Sequence, residues 1–584
     1  MNDPISVITR PPIVPARLQR LLARPHAARG VVLLGVLLCA PSLWNGLNLD
    51  DVLLAARFAD GAATPWNMFD LFGGAAPLVA PQDDPWWHHD AMRLQLMRPL
   101  AALTHMFDLR LFTSPVWMHL HSLLWYGLLL AAVGRLYRTT MPGAHVWAPA
   151  LLLYAVDHSH GMVVGWLAAR GAIVGALGAV LCLLAHDRWR TRGRWSDAVL
   201  AALALSAALL ANEGAVGAGG YLAAYALCRE RGPWWRRAAS LVPAAVIVVI
   251  WRACTVAAGY GAAHSGFYFD PASEGAWFLG RAVVHAILMI GSQVFVPVGE
   301  ALGMAPGLYG PGAVVVAGLL AGVLWLARGE LRGSPSLRFW AVGALLSALP
   351  LGATLPTDRQ LLLIGVGVFG FAGAWLAEPP TRPRPRIVRG LAWAWLGLHL
   401  VVSPLLVPLR ATSPAQIHGL AESATAAVVT ATPPRQVILV RVPNDLVMLY
   451  GRAGWRLHAR PFPGSLQYLY AGLGELTITR IDAHTLELRP ADGWLRAPLD
   501  RLHRAADDEL RAGQQIHRAG LTVMIVEATD DGRPTVVRVR LDRPLEDPGL
   551  AWYTWEGRTP RPVQLPAIGE AQISPPQPNP LLSP

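Results

Sequence analysis

Long apolar runs separated by short polar segments dominate the first 410 residues of the chain. Eleven of these runs have the length and composition expected of membrane-crossing helices. The predicted spans are 30–47, 116–134, 146–160, 162–185, 197–212, 214–228, 238–258, 311–327, 338–355, 360–377 and 390–408. Several runs are short for a hydrocarbon core of about 30 Å, so we expect helices with broken or tilted ends.

The charges of the loops predict which side of the membrane each loop faces. Four arginines occur in each of the loops 186–194, 229–237 and 382–389. The positive-inside rule places these loops, together with the N-terminal tail 1–29, in the cytoplasm. The loop 49–115 holds eight aspartates against four arginines. We therefore expect this loop on the outer side.

A further apolar run, residues 281–297, conflicts with this alternation. If it crossed the membrane, every later loop would change sides and the basic loop 382–389 would lie outside. We therefore expect 281–297 to lie in the interface or to re-enter, which leaves about eleven spans within the domain 30–410. An odd number of spans places the C-terminal part of the chain outside.

After residue 410 the pattern changes to the alternation of β-strands. Residues 435–450 and 520–541 alternate apolar and polar side chains. The turn 529–532, Thr-Asp-Asp-Gly, predicts a hairpin between Leu521–Glu527 and Thr535–Leu541. Residues 498–513 have the pattern of one amphipathic helix. We expect a small soluble domain of α+β or mostly β structure over 411–572, followed by a disordered Pro-rich tail, 573–584.

The composition supports a membrane protein and excludes several chemistries. Of 584 residues, 53% are hydrophobic and only 15% are charged, against roughly 25% charged in soluble proteins, and the mean hydropathy is +0.37. The net charge is +11, but the chain contains no lysine, which excludes Schiff-base and pyridoxal phosphate chemistry. The arginines cluster in short loops, so we expect membrane lipid as a partner and no nucleic acid.

The segment Asn48-Leu49-Asp50-Asp51 is the first candidate functional site. It follows the first predicted span, where the chain leaves the membrane. Two adjacent carboxylates at a bilayer surface are costly to desolvate, which makes them a functional-site hypothesis. The alternative is that the two aspartates only mark the water-facing end of a helix.

Further segments share a pattern with a known superfamily. They are Met97–Leu100, Trp117–Leu120, Tyr154–Arg170 and Leu355–Arg359. Together with Asn48–Asp51, these segments resemble the motifs of the GT-C superfamily of polyprenyl-phosphate-sugar-dependent glycosyltransferases. The resemblance is greatest to the transmembrane O-mannosyltransferases and their bacterial relatives, although we find no tetratricopeptide repeats here. Met162 and Ala172 replace acidic residues of that pattern, which leaves open a relative that has lost or changed its reaction.

The resemblance implies an enzyme of the bacterial inner membrane that moves a sugar from a polyprenyl-phosphate donor to an acceptor hydroxyl at the outer face. Such a transfer needs a carboxylate to act on the hydroxyl and positive charge to hold the phosphate leaving group. Asp50 or Asp51 would supply the carboxylate, and Asp51 is favoured because it lies deeper in the loop. The other aspartate would cap a helix or pair with an arginine.

The remaining candidates follow from the same resemblance. Arg170, Arg359 and Arg98 would bind the donor phosphate. The alternative for Arg170 and Arg359 is that they snorkel or form internal ion pairs with Asp358 or Glu213, and the alternative for Arg98 is that it caps the loop. His160 and Glu213 would contact the acceptor or the phosphate. We expect no cofactor and no metal site, because Asp157, His158 and His160 are too close in sequence to converge on one ion. A divalent metal is nevertheless left open.

Two further alternatives stay open at the level of the sequence. The acidic and aromatic segment 83–90 could stack a carbohydrate on its tryptophans, or could be a solvated loop that Trp86 and Trp87 anchor at the interface. The protein could also be a non-catalytic membrane scaffold, a transporter or an envelope-assembly partner. The sequence names neither the sugar nor the acceptor.

Overall fold

The computed structural model describes residues 13–73, 84–141, 143–295, 306–378, 384–426, 435–457, 464–518 and 520–578, together with Leu302. The helices are α1 Ala16–Leu22, α2 Ala27–Leu38, α3 Asp50–Ala59, α4 Pro99–Leu111, α5 Pro115–Thr140, α6 Ala144–Ala155, α7 Ser159–Gly165, α8 Arg170–Arg192, α9 Trp195–Ala211, α10 Ala218–Cys228, α11 Trp234–Ala239, α12 Val242–Ala257, α13 Pro271–Phe295, α14 Pro306–Leu326, α15 Arg328–Gly333, α16 Pro335–Ala348, α17 Leu361–Ala377, α18 Arg386–Gly397, α19 Ser403–Ala426 and α20 Asp445–Leu457. The strands are β1 Asp70–Phe72, β2 Arg93–Gln95, β3 Gly261–Ala263, β4 Gln436–Leu439, β5 Ser465–Tyr468, β6 Leu476–Arg480, β7 Thr485–Pro490, β8 Gln515–Arg518, β9 Leu521–Ala528, β10 Pro534–Leu541, β11 Leu550–Glu556, β12 Thr559–Pro562 and β13 Ala571–Ser574.

The chain divides into two compact units, each built from three segments. The membrane unit comprises Met1–Gly46, Met97–Ala258 and Glu274–Pro414, and the sheet unit comprises Leu47–Leu96, Gly259–Ser273 and Ala415–Pro584. The predicted outer loop 49–115 is therefore shared between the units. Its first part folds with the C-terminal sheets, whereas α4 belongs to the membrane unit. The predicted domain limits at residues 410 and 572 stay predictions.

The chain is an α-helical polytopic membrane protein with a sheet-containing C-terminal part, as the sequence predicts. Among the described residues, seven helical stretches are long and apolar enough to cross a membrane: Ala27–Trp44, Pro115–Thr140, Leu167–Arg192, Trp277–Phe295, Gly307–Leu326, Pro335–Ala353 and Arg386–Ser423. Four shorter apolar helices, Ala144–Ala155, Trp195–Ala211, Val242–Ala257 and Leu361–Ala377, coincide with further predicted spans. A helix of 17 residues extends only about 26 Å, which is why these four fall short of a hydrocarbon core of about 30 Å.

Two of the apolar runs, one of them a predicted span, differ in detail from the helices that the chain forms. The run 214–228 begins as a 3₁₀ turn over Glu213–Gly217, and only Ala218–Cys228 is α-helical. Residues 281–295 of the run 281–297 lie within α13, and the stretch Trp277–Phe295 of this helix meets the length and composition of a span. Its predicted interfacial or re-entrant position stays a prediction.

Helix α17 occupies the centre of the membrane unit. Nearly every residue of α17 is buried, and its glycines allow neighbouring helices to approach closely. A Cβ atom on Gly370 would lie 2.6 Å from the Trp340 ring of α16, and one on Gly373 would lie 2.5 Å from Ala150 of α6. Small residues at helix contacts are typical of packing in membranes, where apolar surface alone does not drive association.

The sheet unit contains three sheets. A six-stranded antiparallel sheet has the order β13-β6-β7-β10-β9-β8, and a four-stranded sheet has the order β12-β11-β4-β5. In the second sheet β4 pairs in parallel with both β5 and β11, and α20 connects β4 to β5. The third sheet, β1-β2-β3, joins two strands of the first outer loop to Gly261–Ala263.

The predicted hairpin is confirmed, because β9 and β10 pair in antiparallel fashion around a turn closed by the Thr529 amide and the Arg533 carbonyl. The strand predicted over 435–450 is wrong in its second half. Only β4 is extended, and Asp445 begins helix α20. Residues Val437–Leu439 are fully buried, as expected for a central parallel strand.

The amphipathic helix predicted over 498–513 is also wrong. Only the 3₁₀ turn Pro498–Arg501 is helical, and turns follow it. Side-chain and backbone groups of this segment make hydrogen bonds to other segments instead. Arg504 Nε donates to the Trp87 carbonyl at 2.7 Å, and the Leu510 amide donates to the Gly532 carbonyl at 3.0 Å.

Candidate functional site

The Asn48–Asp51 segment forms the start of helix α3 in the sheet unit. Leu49, the residue before the helix, has φ 52° and ψ −124°, a conformation that is sparsely populated for residues with a side chain. The Asp51 carboxylate accepts a hydrogen bond from the Asn48 amide at 3.0 Å, and the Leu49 amide lies 3.4 Å from His418 Nδ1. The segment is therefore held by side chains from two parts of the chain.

The two aspartates occupy different environments. Asp51 is only 4% exposed, and one of its oxygens closes the turn before the helix. Asp50 is half-buried, and its Oδ1 accepts a hydrogen bond from the Tyr450 hydroxyl of α20 at 3.0 Å. Both carboxylates lie in the first turn of α3, where the helix dipole stabilises negative charge. The geometry gives Asp51 a capping role and leaves Asp50 more exposed.

Three of the residues predicted to bind phosphate or acceptor come together in the membrane unit. The Arg98 Nε atom donates to Glu213 Oε2 at 2.8 Å, and a second guanidinium nitrogen bonds Oε1. Glu213 also interacts electrostatically with Arg359. The Arg359 guanidinium carbon lies 5.2 Å from the ring centroid of Trp166. The sequence suggested Glu213 as an ion-pair partner of Arg170 or Arg359, whereas the residue that hydrogen-bonds its carboxylate is Arg98.

Arg170 occupies a buried ion-pair network within the membrane unit. Its side chain is fully buried, with NH1 at 2.5 Å from Asp108 Oδ2. Its Nε and NH2 atoms donate to Ser122 Oγ and to the Met118 carbonyl, both at 2.8 Å. A buried charge requires such a complete set of partners. The partner of Arg170 is Asp108, whereas the sequence suggested Asp358 or Glu213.

His160 also lies in a buried polar network. It is 0% exposed, and its Nδ1 atom lies 3.0 Å from the Tyr126 hydroxyl. Its Nε2 atom lies 3.9 Å from Asp157 Oδ2, an oxygen that also accepts from Gln293 Nε2 at 2.7 Å. This network bonds α5, α7 and α13 to the segment between α6 and α7.

The two predicted catalytic aspartates belong to the sheet unit, and the other five predicted site residues belong to the membrane unit. The prediction did not include Tyr450, which contacts Asp50. The two residues are 400 positions apart, so no local pattern in the sequence could have connected them.

The acidic and aromatic segment 83–90 differs from both predicted alternatives. Asp83 lies outside the described residues. Trp86 and Trp87 are 2% and 1% exposed and belong to the hydrophobic core of the sheet unit. The Trp86 indole nitrogen donates to the Leu469 carbonyl at 3.0 Å. These rings neither present a stacking surface nor anchor the loop in an interface, because the core of the sheet unit buries them.

Two histidine–aspartate clusters follow these tryptophans in the sheet unit. In the first, His88 Nδ1 lies 3.0 Å from His503 Nδ1, and His88 Nε2 lies 3.5 Å from Asp84 Oδ2. Burial, reinforced by the charges of Arg518 and Arg504, lowers the pKa of His88 to about 4, and burial lowers the pKa of His503 well below its usual value. Both imidazoles are therefore neutral at neutral pH.

The second cluster consists of His89, His264 and Asp508. His264 Nδ1 lies 3.0 Å from Asp508 Oδ1, and His89 Nε2 lies 3.7 Å from the same oxygen. The two imidazole rings stack at 3.9 Å with an interplanar angle of 6°. Sequence reasoning missed both clusters, because each combines the first outer loop with residues near 503–508.

Comparison with known proteins finds similarity only among solved structures. No protein-family model matches the chain, and no curated protein matches it. Two similar structures are both of the oligosaccharyltransferase of Archaeoglobus fulgidus, one in the apo form and one tethered by a disulfide to an acceptor peptide containing the NVT sequon. The TM-scores are 0.39 and 0.38, the identity is 12% in both cases, and 77% of this chain is covered. The chain spans 66% and 65% of the length of that enzyme, just under two thirds.

Proposed function

We propose that this protein is an integral membrane glycosyltransferase of the GT-C type. It moves a sugar from a polyprenyl-phosphate donor to an acceptor hydroxyl at the outer face of the bacterial inner membrane. The observation that carries the proposal is the start of helix α3. There, a half-buried carboxylate, Asp50, is held by Tyr450 beside a strained backbone at Leu49. Strain of this kind concentrates at functional sites.

Asp50 is the proposed base that acts on the acceptor hydroxyl. The sequence favoured Asp51, but Asp51 is almost fully buried and its carboxylate caps the turn before the helix. A general base must reach the proton that it removes. The half-buried Asp50 meets that requirement better, and the Tyr450 hydroxyl orients its carboxylate. Asp51 then serves to hold the strained turn.

Arg359 is the proposed main ligand of the donor phosphate, with Arg98 as the second. Arg359 is half-buried and lies against Trp166, and a guanidinium presents a planar set of donors that matches phosphate oxygens. Arg98 already makes two bonds to Glu213, so Glu213 positions Arg98. Arg170 and His160 are left out of the donor site because both residues are 0% exposed, and Arg170 is already paired with Asp108.

The test is single-turnover sugar transfer from a polyprenyl-phosphate donor by the full-length protein in detergent. Asp50→Asn keeps the shape of the side chain and removes its charge, so transfer should fall by about 10²- to 10⁴-fold while donor binding persists. Asp51→Asn should lower the melting temperature more than the transfer rate. Asp60→Asn, an exposed position directly after α3, is the matched control and should leave both quantities unchanged.

One observation favours a second function, in which a protein of the same fold is a non-catalytic scaffold, a transporter or an assembly partner. Arg98 and Arg170, two of the three arginines predicted to bind phosphate, form ion pairs within the chain. The charges of Arg98 and Arg170 therefore contribute to interactions within the folded chain. If the wild-type protein neither binds the donor nor transfers sugar, this second function replaces the first. Transfer by Asp50→Asn at the wild-type rate would instead remove Asp50 as the base.

A further inference from the structure

The strongest unassigned feature of the sheet unit is the first histidine–aspartate cluster, Asp84, His88 and His503. Two of its members come from the first outer loop and the third comes from the segment before β8. Each residue offers one ligand atom, and these atoms lie within 4.8 Å of one another. Asp84 and His503 are 9% and 3% exposed. Three side chains able to bind a metal thus converge in a largely buried place.

We propose that Asp84, His88 and His503 bind one Zn²⁺ ion that ties the first outer loop to the C-terminal sheets. Two imidazoles and one carboxylate are a donor set that suits zinc. Three protein ligands leave a fourth position open for water. The proposed zinc is separate from the proposed glycosyl transfer, and it departs from the expectation of no metal.

The surroundings hold the proposed ligands in place. Arg518 donates to the His88 carbonyl at 2.6 Å, and Arg504 donates to the Trp87 carbonyl at 2.7 Å. The His503 ring packs edge-on against Phe72, with ring centroids 5.3 Å apart. The two arginines thus fix the backbone at and beside His88, and Phe72 packs against the ring of His503.

The second cluster is the rival site, and its exposure distinguishes it from the first. His89, His264 and Asp508 are all only half-buried, whereas Asp84 and His503 of the first cluster are buried. His264 Nδ1 lies 3.0 and 3.1 Å from the two Asp508 oxygens, and His89 stacks on His264. The Asp508 carboxylate is therefore already engaged by His264 on both oxygens.

The experiment measures metal content in the full-length protein purified in detergent. The protein is stripped with a chelator, dialysed against ZnCl₂ and analysed by elemental mass spectrometry and thermal melting. Wild type should retain about one zinc per chain, and zinc should raise its melting temperature because the ion binds only the folded state. His88→Ala and His503→Ala should each bind zinc at least tenfold more weakly. His517→Ala, an exposed histidine on β8, is the control and should bind zinc like wild type.

Several results would overturn the proposal, and one of them needs no variant. Wild-type protein that retains no zinc after dialysis at micromolar concentration has no such site. Loss of zinc in His264→Ala together with normal binding in His503→Ala would move the ion to the second cluster. If His503→Ala fails to fold, Asp84→Asn preserves the shape of the side chain, and normal zinc affinity in that variant would also contradict the assignment.

Discussion

Leu49 adopts a backbone conformation that a leucine rarely takes, and the residues around it explain how it persists. A non-glycine residue in such a region costs of the order of 1–3 kcal/mol. The Asn48 amide bonds Asp51, and the buried leucine side chain is 3% exposed. Asp50 and Asp51 take unequal positions because successive side chains of a helix point about 100° apart. A local sequence pattern therefore found the two aspartates, but only the tertiary contacts distinguish their roles.

Tyr450→Phe tests the positioning of Asp50. The variant removes the hydroxyl that donates to Asp50 Oδ1 and keeps the ring, so the folding free energy should fall by only about 1 kcal/mol. If Tyr450 orients the base, single-turnover transfer should slow while donor affinity stays unchanged. Tyr553→Phe, on β11 of the same unit, is a comparison that should leave transfer unaffected. Equal transfer rates in both variants would limit Tyr450 to a structural role.

At the scale of elements, the turn Pro498–Arg501 shows why the helix prediction over 498–513 failed. The amphipathic pattern was real, but a polar side chain of this segment bonds a distant part of the chain. Arg504 Nε donates to the Trp87 carbonyl, 417 positions away, whereas the bond from the Ala497 amide to Asp500 is local and closes only the 3₁₀ turn. Tertiary bonds of this kind override the local preference for helix. The hairpin β9–β10 was predictable because its turn and its alternation act locally.

The same turn predicts a pH dependence of stability. Burial raises the pKa of Asp500 from 3.8 to about 7, so the folded state holds a proton that the unfolded state releases. The contribution of protonated Asp500 to the folding free energy is fully present below pH 3.8 and is lost as the pH rises through about 7. Each pKa unit corresponds to about 1.4 kcal/mol, so the loss is at most about 4 kcal/mol.

Asp500→Asn carries no charge at any pH, and its melting temperature should change less between pH 4 and 7 than that of the wild type. Asp60→Asn, at an exposed position, should follow the wild-type curve. Parallel curves for wild type and Asp500→Asn would show that Asp500 is not protonated in the folded protein.

At the scale of the whole molecule, the predicted topology can be tested directly. The alternation of basic loops predicts that the N-terminus is cytoplasmic and the C-terminal part is periplasmic. A fluorescent reporter that matures only in the cytoplasm, fused after Pro584, should therefore stay dark, whereas the same reporter fused at the N-terminus should be bright. A bright C-terminal fusion would mean that Trp277–Phe295, which has the length and composition of a span, crosses the membrane.

Every span that the hydrophobic pattern predicted overlaps a helix of the membrane unit. It could not reveal that the first outer loop shares a core with the C-terminal strands, because periodicity reports on neighbours in the chain. Trp86 illustrates this difference. Its place among polar residues suggested an interfacial anchor, and its actual partner Leu469 is 383 positions away.

This separation has a consequence for the synthesis of the protein. Chains elongate at about 5–20 residues per second, so Trp86 emerges from the ribosome roughly 20–80 s before the strand segment that will bury it. During that interval the indole rings of Trp86 and Trp87 and the side chain of His88 cannot make their contacts with the C-terminal strands and with His503. The sheet unit can therefore complete its fold only after the last membrane helix has been synthesised. Chaperones that bind exposed apolar side chains can act on the nascent first outer loop during this interval.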